Sequence, residues 1–353
     1  MYIWDVPIEP LEERYSKQWA QWFRDEFDNA DCSVIQVSGE TLTDTIETGS
    51  FLDCFSTHYW KFTQLKKMIQ QLRNGTQPNV IFFHDLWFPG IEALAYIRDM
   101  TGKGFKIAGY LHAGSYDRHD LLAQKNMGRW AQFIERGWLQ FIDHIFVGSQ
   151  HHKDMILEAR DVININLAKK IHPIGYPIDV VTYGYEPRQF NRDNIIVFPH
   201  RLNKEKNPDM FDKLKMVLEQ FPILKGYEFI KTKDVCSNKD KYYELLRRAK
   251  IAISFADQET FGIAMVEAAA LGCIPITPDR LSYQDTMEWQ WRFGNFDECC
   301  ELVIKAITSN IDYYQYPKIE QYKPSKIVEQ ILYVLAKQTP DDFSVTPFKI
   351  TLH

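Results

Sequence analysis

Residues Ile251–Asp279, IAISFADQETFGIAMVEAAALGCIPITPD, read as strand, loop, helix and strand. The apolar run Ile251–Phe255 suits a short buried strand, and Ala256–Thr260 is polar. From Phe261 the spacing turns helical, with Ile263, Val266, Ala270 and Leu271 on one face. Gly272 can close the helix, and Cys273–Thr277 starts the next strand before Pro278. Two carboxylates frame the unit, Glu259 in the loop and Glu267 inside the helix. A Glu on a helix of Ala, Ile, Met and Val is costly to bury without a partner. Glu267 therefore asks for a ligand.

Eight residues of helix advance by roughly 12 Å, about the reach of a nucleoside diphosphate from ribose to sugar. The backbone N–H groups of Thr260, Phe261 and Gly262 are expected at the helix N-terminus, an end that attracts phosphate. Gly262 lacks the side chain that would hold a ligand away. The same spacing also describes a surface Glu and a capping acid on an ordinary βαβ unit.

Glu259-x7-Glu267, written ETFGIAMVE and continuing AAALGCIPI, resembles the signature of retaining GT-B glycosyltransferases, most closely the GT4-like group. The carboxylates, the Phe-Gly between them, and the small-residue helix with Gly-x-x-Pro agree together. The resemblance implies that Glu259 contacts the donor sugar hydroxyls and Glu267 the ribose of the nucleotide. Phe198–Asn207, FPHRLNKEKN, is similar to that group's R-x4-K segment, with Arg201 and Lys206 as its cations. They would neutralise the diphosphate and the charge that builds on the leaving nucleotide. A solvated charge run after a strand is the plainer reading of the same residues. In AGYLHAGSYD, His112 follows a strand end, and the resemblance assigns it to the donor sugar. His84-Asp85 has a weaker claim of the same kind, on the acceptor side.

Around these motifs, short apolar strands alternate with helices of ten or more residues. Expected strands are Tyr2–Val6, Ser33–Val37, Val80–Phe83, Lys106–Leu111, His144–Gly148, Asn194–Phe198 and Tyr227–Ile230. Expected helices include Glu12–Phe27, Gly90–Met100, Pro208–Gln220, Lys239–Ala249 and Ser325–Lys337, the last capped by Ser325. The alternation lapses over Ile174–Asp193 and then restarts. This predicts an α/β chain of two successive domains; the resemblance implies that they are Rossmann-like and face across a cleft in the GT-B layout, residues 1–180 for the acceptor and 181–337 for the nucleotide sugar. Residues 338–353 form a tail expected to pack back on the first domain.

Composition narrows the class. At 353 residues, 45% hydrophobic and 25% charged, the chain has an ordinary globular balance. Its net charge of −6 opposes a general nucleic-acid coat but not a local basic groove. Six cysteines without a C-x-x-C pair suggest reduced thiols and a cytoplasmic location. No apolar stretch reaches the length of a membrane span. His144, His151 and His152 with Asp154 hint at metal ligands, but adjacent His residues do not share a helix face, so no metal and no cofactor are expected.

One departure from the group concerns the turn after the first strand. Asp5–Pro10, DVPIEP, stands where a Gly-rich turn is usual, and proline cannot offer a row of N–H groups. The opening block PIEPLEERYSKQWAQWF is faintly similar to glycosyltransferase-like proteins of bacteriophages, some of which glycosylate modified bases in DNA. The expected partner is thus a nucleotide sugar. The expected acceptor is a glycan or lipid, a small molecule, or a hydroxymethylated pyrimidine in DNA. A nucleotide-sugar epimerase and a non-catalytic nucleotide-binding scaffold are the alternatives.

Overall fold

The computed structural model describes residues 1–10, 15–42, 53–160, 165–180, 192–309, 311 and 313–337. The first domain alternates β1 (Tyr2–Val6), α1 (Tyr15–Asn29), β2 (Ser33–Gln36), α2 (Cys54–Arg73), β3 (Val80–Phe83), α3 (Ile91–Thr101) and β4 (Lys106–Tyr110). It continues with α4 (Leu121–Gln124), α5 (Gly128–Phe141), β5 (His144–Val147), α6 (Gln150–Arg160), α7 (Ile165–Lys170) and β6 (Ile171–Pro173). Its six strands are all parallel, in the order β2-β1-β3-β4-β5-β6. Val80–Phe83 is buried at every position, as a strand covered on both faces must be.

The second domain runs β7 (Asp193–Phe198), α8 (Pro208–Leu218), β8 (Glu228–Lys231), α9 (Thr232–Val235), α10 (Lys239–Arg248), β9 (Ala249–Ile253), α11 (Ile263–Ala270) and β10 (Ile274–Pro278). It closes with α12 (Tyr283–Thr286), β11 (Arg292–Phe293), α13 (Phe296–Thr308) and α14 (Pro324–Ala336). Its parallel sheet has the order β11-β10-β9-β7-β8. Arg192, buried just before β7, donates to the carbonyls of Leu246 at 2.7 Å and Leu271 at 2.8 Å. It thereby satisfies the C-terminal ends of α10 and α11 with a cation.

Two cores follow from this layout. One lies between the first sheet and the layer of α2, α3 and α5, around Phe83, Leu94, Ile107 and Trp138. The other begins on the α1 side of the same sheet, at Trp19, Phe23 and Phe82, and runs through Tyr176 into the second domain. Helix α14 runs back against α1, and Lys106 Nζ donates to the Leu335 and Lys337 carbonyls at 2.9 and 3.1 Å. The return to the first domain is therefore made by a helix the sequence reading gave to the second. Residues 338–353, expected to make it, lie outside the described residues.

Three local expectations change. Ser325 does not cap α14: Pro324 opens the helix after Lys323, with no side-chain cap. Proline's fixed φ favours the first helical position, which moves the start upstream. The short α7–β6 pair was not foreseen, because a three-residue strand is too brief to show a period. The strand before the central loop spans Ala249–Ile253 rather than Ile251–Phe255.

Candidate functional site

The loop Ser254–Gly262 leaves β9 at the C-terminal edge of the second sheet, where α/β folds place their ligands. Gly262 is the N-cap of α11 with φ +88°, and a Cβ there would stand 2.9 Å from Tyr283 Cε1. Glycine is required by both its backbone and its neighbour, rather than by open space for a ligand. Four of the nine residues from Glu259 to Glu267 precede the helix, so the two carboxylates are not related by helical rise alone.

Glu259 faces Lys206, with Oε2 3.1 Å from Nζ, and neither side chain is more than 16% exposed. Lys206 also donates to the Gln258 carbonyl. Burial alone would raise the Glu259 carboxyl, but the Lys206 ammonium, His200 and the Gly262 N–H together hold it below its usual value. The two loops are stitched together by Asp257 N donating to the Glu205 carbonyl at 2.8 Å. Asn207 Nδ2 adds bonds to the Phe255 carbonyl at 3.0 Å and Asp257 Oδ2 at 2.7 Å. Asn207, at φ +53°, makes the turn that aims Lys206 inward. Arg201 lies in the same turn but is exposed, 3.8 Å from Glu205.

Glu267 is buried, yet it does not wait for a ligand to be paired. Its Oε1 accepts from Tyr243 at 2.7 Å and from Lys239 at 2.8 Å, and Gln18 of α1 donates to the same tyrosine oxygen at 3.1 Å. The protein supplies the partner that the sequence reading sought in a ligand. Phe261 is fully buried as a wedge between domains, its ring centroid 5.0 Å from those of Tyr176 and Tyr322. The Thr260 carbonyl accepts from Ser149 at 2.6 Å, so this residue too bridges the domains.

Across the interface, His112 follows β4 and is boxed by Tyr15, Trp19, Tyr110 and Tyr176. Its Nε2 is 2.7 Å from the His84 carbonyl. A carbonyl only accepts, so Nε2 carries the proton and Nδ1 keeps a lone pair. Burial lowers its proton affinity, which keeps the ring neutral. The His84-Asp85 pair is divided, because consecutive residues leaving a strand point to opposite sides. His84 is completely buried with Nε2 2.6 Å from Asp5 Oδ1, and so is placed in the core. Asp85 alone is part-exposed, bound by Lys61 Nζ at 2.9 Å and by the Trp87 N–H at 3.0 Å.

Several residues of this region carried no signal in the sequence. His200 is buried beside Lys206 and Glu259, its Nε2 without a partner, and burial pushes its pKa down to about 3. Asp117 accepts from Gln258 at 2.9 Å, and Asp285 accepts from the His151 N–H at 2.9 Å, each joining one domain to the other. Such pairs lie more than 130 residues apart in sequence, beyond any local pattern. His144 pairs with His172 and His152 with Tyr116, so the suspected metal ligands do not converge. Among the described residues no three of His, Cys, Asp and Glu gather around one point, and no helix is long and apolar enough to cross a membrane.

No protein-family model matches the chain. A tRNA-queuosine alpha-mannosyltransferase of Drosophila melanogaster is 32% identical over 111 residues, covering 26% of this chain and only 29% of that protein. Among solved structures, a sucrose-phosphate synthase from Thermosynechococcus elongatus aligns at TM-score 0.63 and 11% identity, over 95% of this chain and 98% of its own. An alpha-glucosyltransferase in complex with UDP and a 13-mer DNA aligns at 0.58 and 13%, over 96% and 100%. S. aureus TarM, crystallised with UDP, aligns at 0.54 and 12% over 78% of this chain, which spans 59% of TarM. These likenesses establish the architecture: two Rossmann-like domains in the GT-B arrangement.

Proposed function

We propose that this chain is a retaining, metal-independent glycosyltransferase that moves a sugar from a nucleotide donor to an acceptor hydroxyl. The observation that carries the reading is the Lys206–Glu259 pair, set at the head of α11 where the two sheet edges meet. A carboxylate held ionised there can accept from sugar hydroxyls, and an ammonium beside it can take a phosphate oxygen instead. Arg201, exposed in the same turn and 3.8 Å from Glu205, supplies a second cation for the diphosphate. His112 offers its Nδ1 lone pair to the sugar, Glu267 meets the ribose, and the amides of Thr260 and Phe261 face the phosphates.

As the anomeric C–O bond breaks, the nucleoside diphosphate leaves with the electron pair. Its terminal phosphate takes the proton of the acceptor hydroxyl, whose oxygen forms the new bond on the same face. Lys206 stabilises the phosphate charge as it grows, the interaction that accelerates transfer rather than binding. The mannosyltransferase stretch and the DNA-bound glucosyltransferase likeness support an acceptor in nucleic acid among the acceptors considered.

The test is incubation with a panel of nucleotide sugars, with nucleoside diphosphate release and the anomeric configuration of the product read by NMR. A donor isomerised in the absence of acceptor would make the protein an epimerase. Nucleotide binding without turnover of any donor would leave a scaffold.

A further inference from the structure

Helix α2 carries four Lys and Arg and no Asp or Glu, in a chain whose net charge is −6. Phe55, Tyr59, Phe62 and Lys66 follow one another at helical spacing along its exposed side, Phe55 77% and Phe62 50% exposed. Helix α5 shows a second stripe, Arg129, Trp130, Phe133, Ile134 and Arg136, with Phe133 64% exposed. Its one acid, Glu135, is turned inward and accepts from Ser115 N at 2.7 Å and Trp87 Nε1 at 3.1 Å. Lys66, Arg129 and Arg136 form no ion pair among the described residues, although many other surface cations do.

The two helices that carry these stripes hold one loop between them. Lys61 of α2 holds Asp85 and the Trp87 carbonyl, and Glu135 of α5 holds the Trp87 indole. A Cβ on Gly90 would come within 3.6 Å of the Phe62 ring, so the aromatic row on α2 reaches the end of that loop. That loop begins at Asp85, the part-exposed carboxylate at the edge of the first sheet and the near neighbour of His112.

We propose that these rims of α2 and α5 dock a single-stranded or looped nucleic acid, whose nucleotide at Asp85 receives the sugar; this rests on the glycosyltransferase reading above. Unpaired cations at intervals suit phosphates, and flat exposed rings between them suit unstacked bases. The exposed side chains are chiefly aromatic rather than aliphatic, which favours base stacking over burial in lipid.

The test uses the full chain with a fluorescein-labelled 20-nucleotide single strand, as DNA and as RNA, at two salt concentrations. Vesicles containing phosphatidylglycerol are assayed in parallel. Arg129→Glu with Arg136→Glu should weaken oligonucleotide binding at least tenfold and flatten its salt dependence by more than one unit of slope, at about 0.7 per phosphate contact. Trp130→Ala and Phe133→Ala should each weaken it about tenfold with the slope unchanged, since stacking releases no counterions. Melting temperatures of the variants report that they fold. Equal affinity in wild type and variants would overturn the inference, as would capture by vesicles without oligonucleotide binding. Stabilisation by nucleoside diphosphates, measured on the same preparations, separates the two readings. Stabilisation without oligonucleotide binding defeats the docking face alone. Oligonucleotide binding mapped to the rims, with no donor bound or turned over, keeps the docking face and defeats the transferase.

Discussion

Lys206 and Arg201 were equals in the sequence, and the fold separates them. Lys206 is buried against Glu259 while Arg201 stands in solvent, so Lys206→Ala should lower kcat by about 10²–10³, the cost typical of losing one charge-stabilising group. Arg201→Ala should cost less than a tenth of that, and an equal loss from both would refute the distinction. Glu267→Ala strands the Lys239 ammonium and the Tyr243 hydroxyl, for a stability loss of about 1–3 kcal/mol. If the ribose also binds there, calorimetry should show nucleoside diphosphate affinity falling in Glu267→Ala but kept in Tyr243→Phe, which retains the carboxylate. Burial also sets how the fold meets acid. His144, His152 and His200 have pKa values lowered to about 3, and His172 to about 4. Unfolded, each titrates near 6.5, so between those limits the unfolded chain holds more protons. Their contribution is complete above about pH 6.5 and is lost as pH falls. Asp120, raised to about 6 by burial, acts oppositely and offsets part of this as pH drops through 6. The Tm should therefore fall from pH 7 to pH 5, and His152→Gln should make that fall shallower. An unchanged slope would show that His152 is protonated in the fold.

At the scale of the element, α11 is short, almost wholly apolar, and started by a glycine that no other residue can replace without strain. Gly262→Ala meets a disfavoured φ and the Tyr283 ring together, and should cost about 1–3 kcal/mol. Thermal unfolding would measure it; a variant as stable as wild type would mean that the loop re-forms around the methyl group. The same helix was legible in the sequence from its period, its Gly-x-x-Pro exit and its two acids. Its Glu267 partner was not, because Lys239 and Tyr243 sit on a different helix, α10, whose packing no spacing in α11 specifies.

At the scale of the whole molecule, the domains are pinned at polar points around the Phe261 wedge. Asp117–Gln258, Ser149–Thr260 and His151–Asp285 all lie beside the candidate site. Combining Gln258→Ala with Asp285→Ala should loosen the interface, raise the radius of gyration seen by small-angle scattering, and raise KM for the donor more than it lowers kcat. No change in scattering would mean that the Phe261 wedge and the Ser149–Thr260 bond suffice without the other two pins. The α14–α1 contact is a further tie between the domains.

The alternation of buried strands with long helices and the loop that leads into α11 were written locally. Each depends on residues within one or two turns of one another, where hydrophobic period and backbone preference act. Which sides of those elements meet was decided only in three dimensions. Asp5 took His84 into the core, α10 answered Glu267, and β4 delivered His112 beside β3. Pairing of this kind turns on which surfaces come together once apolar area is buried, and sequence separation carries no record of it.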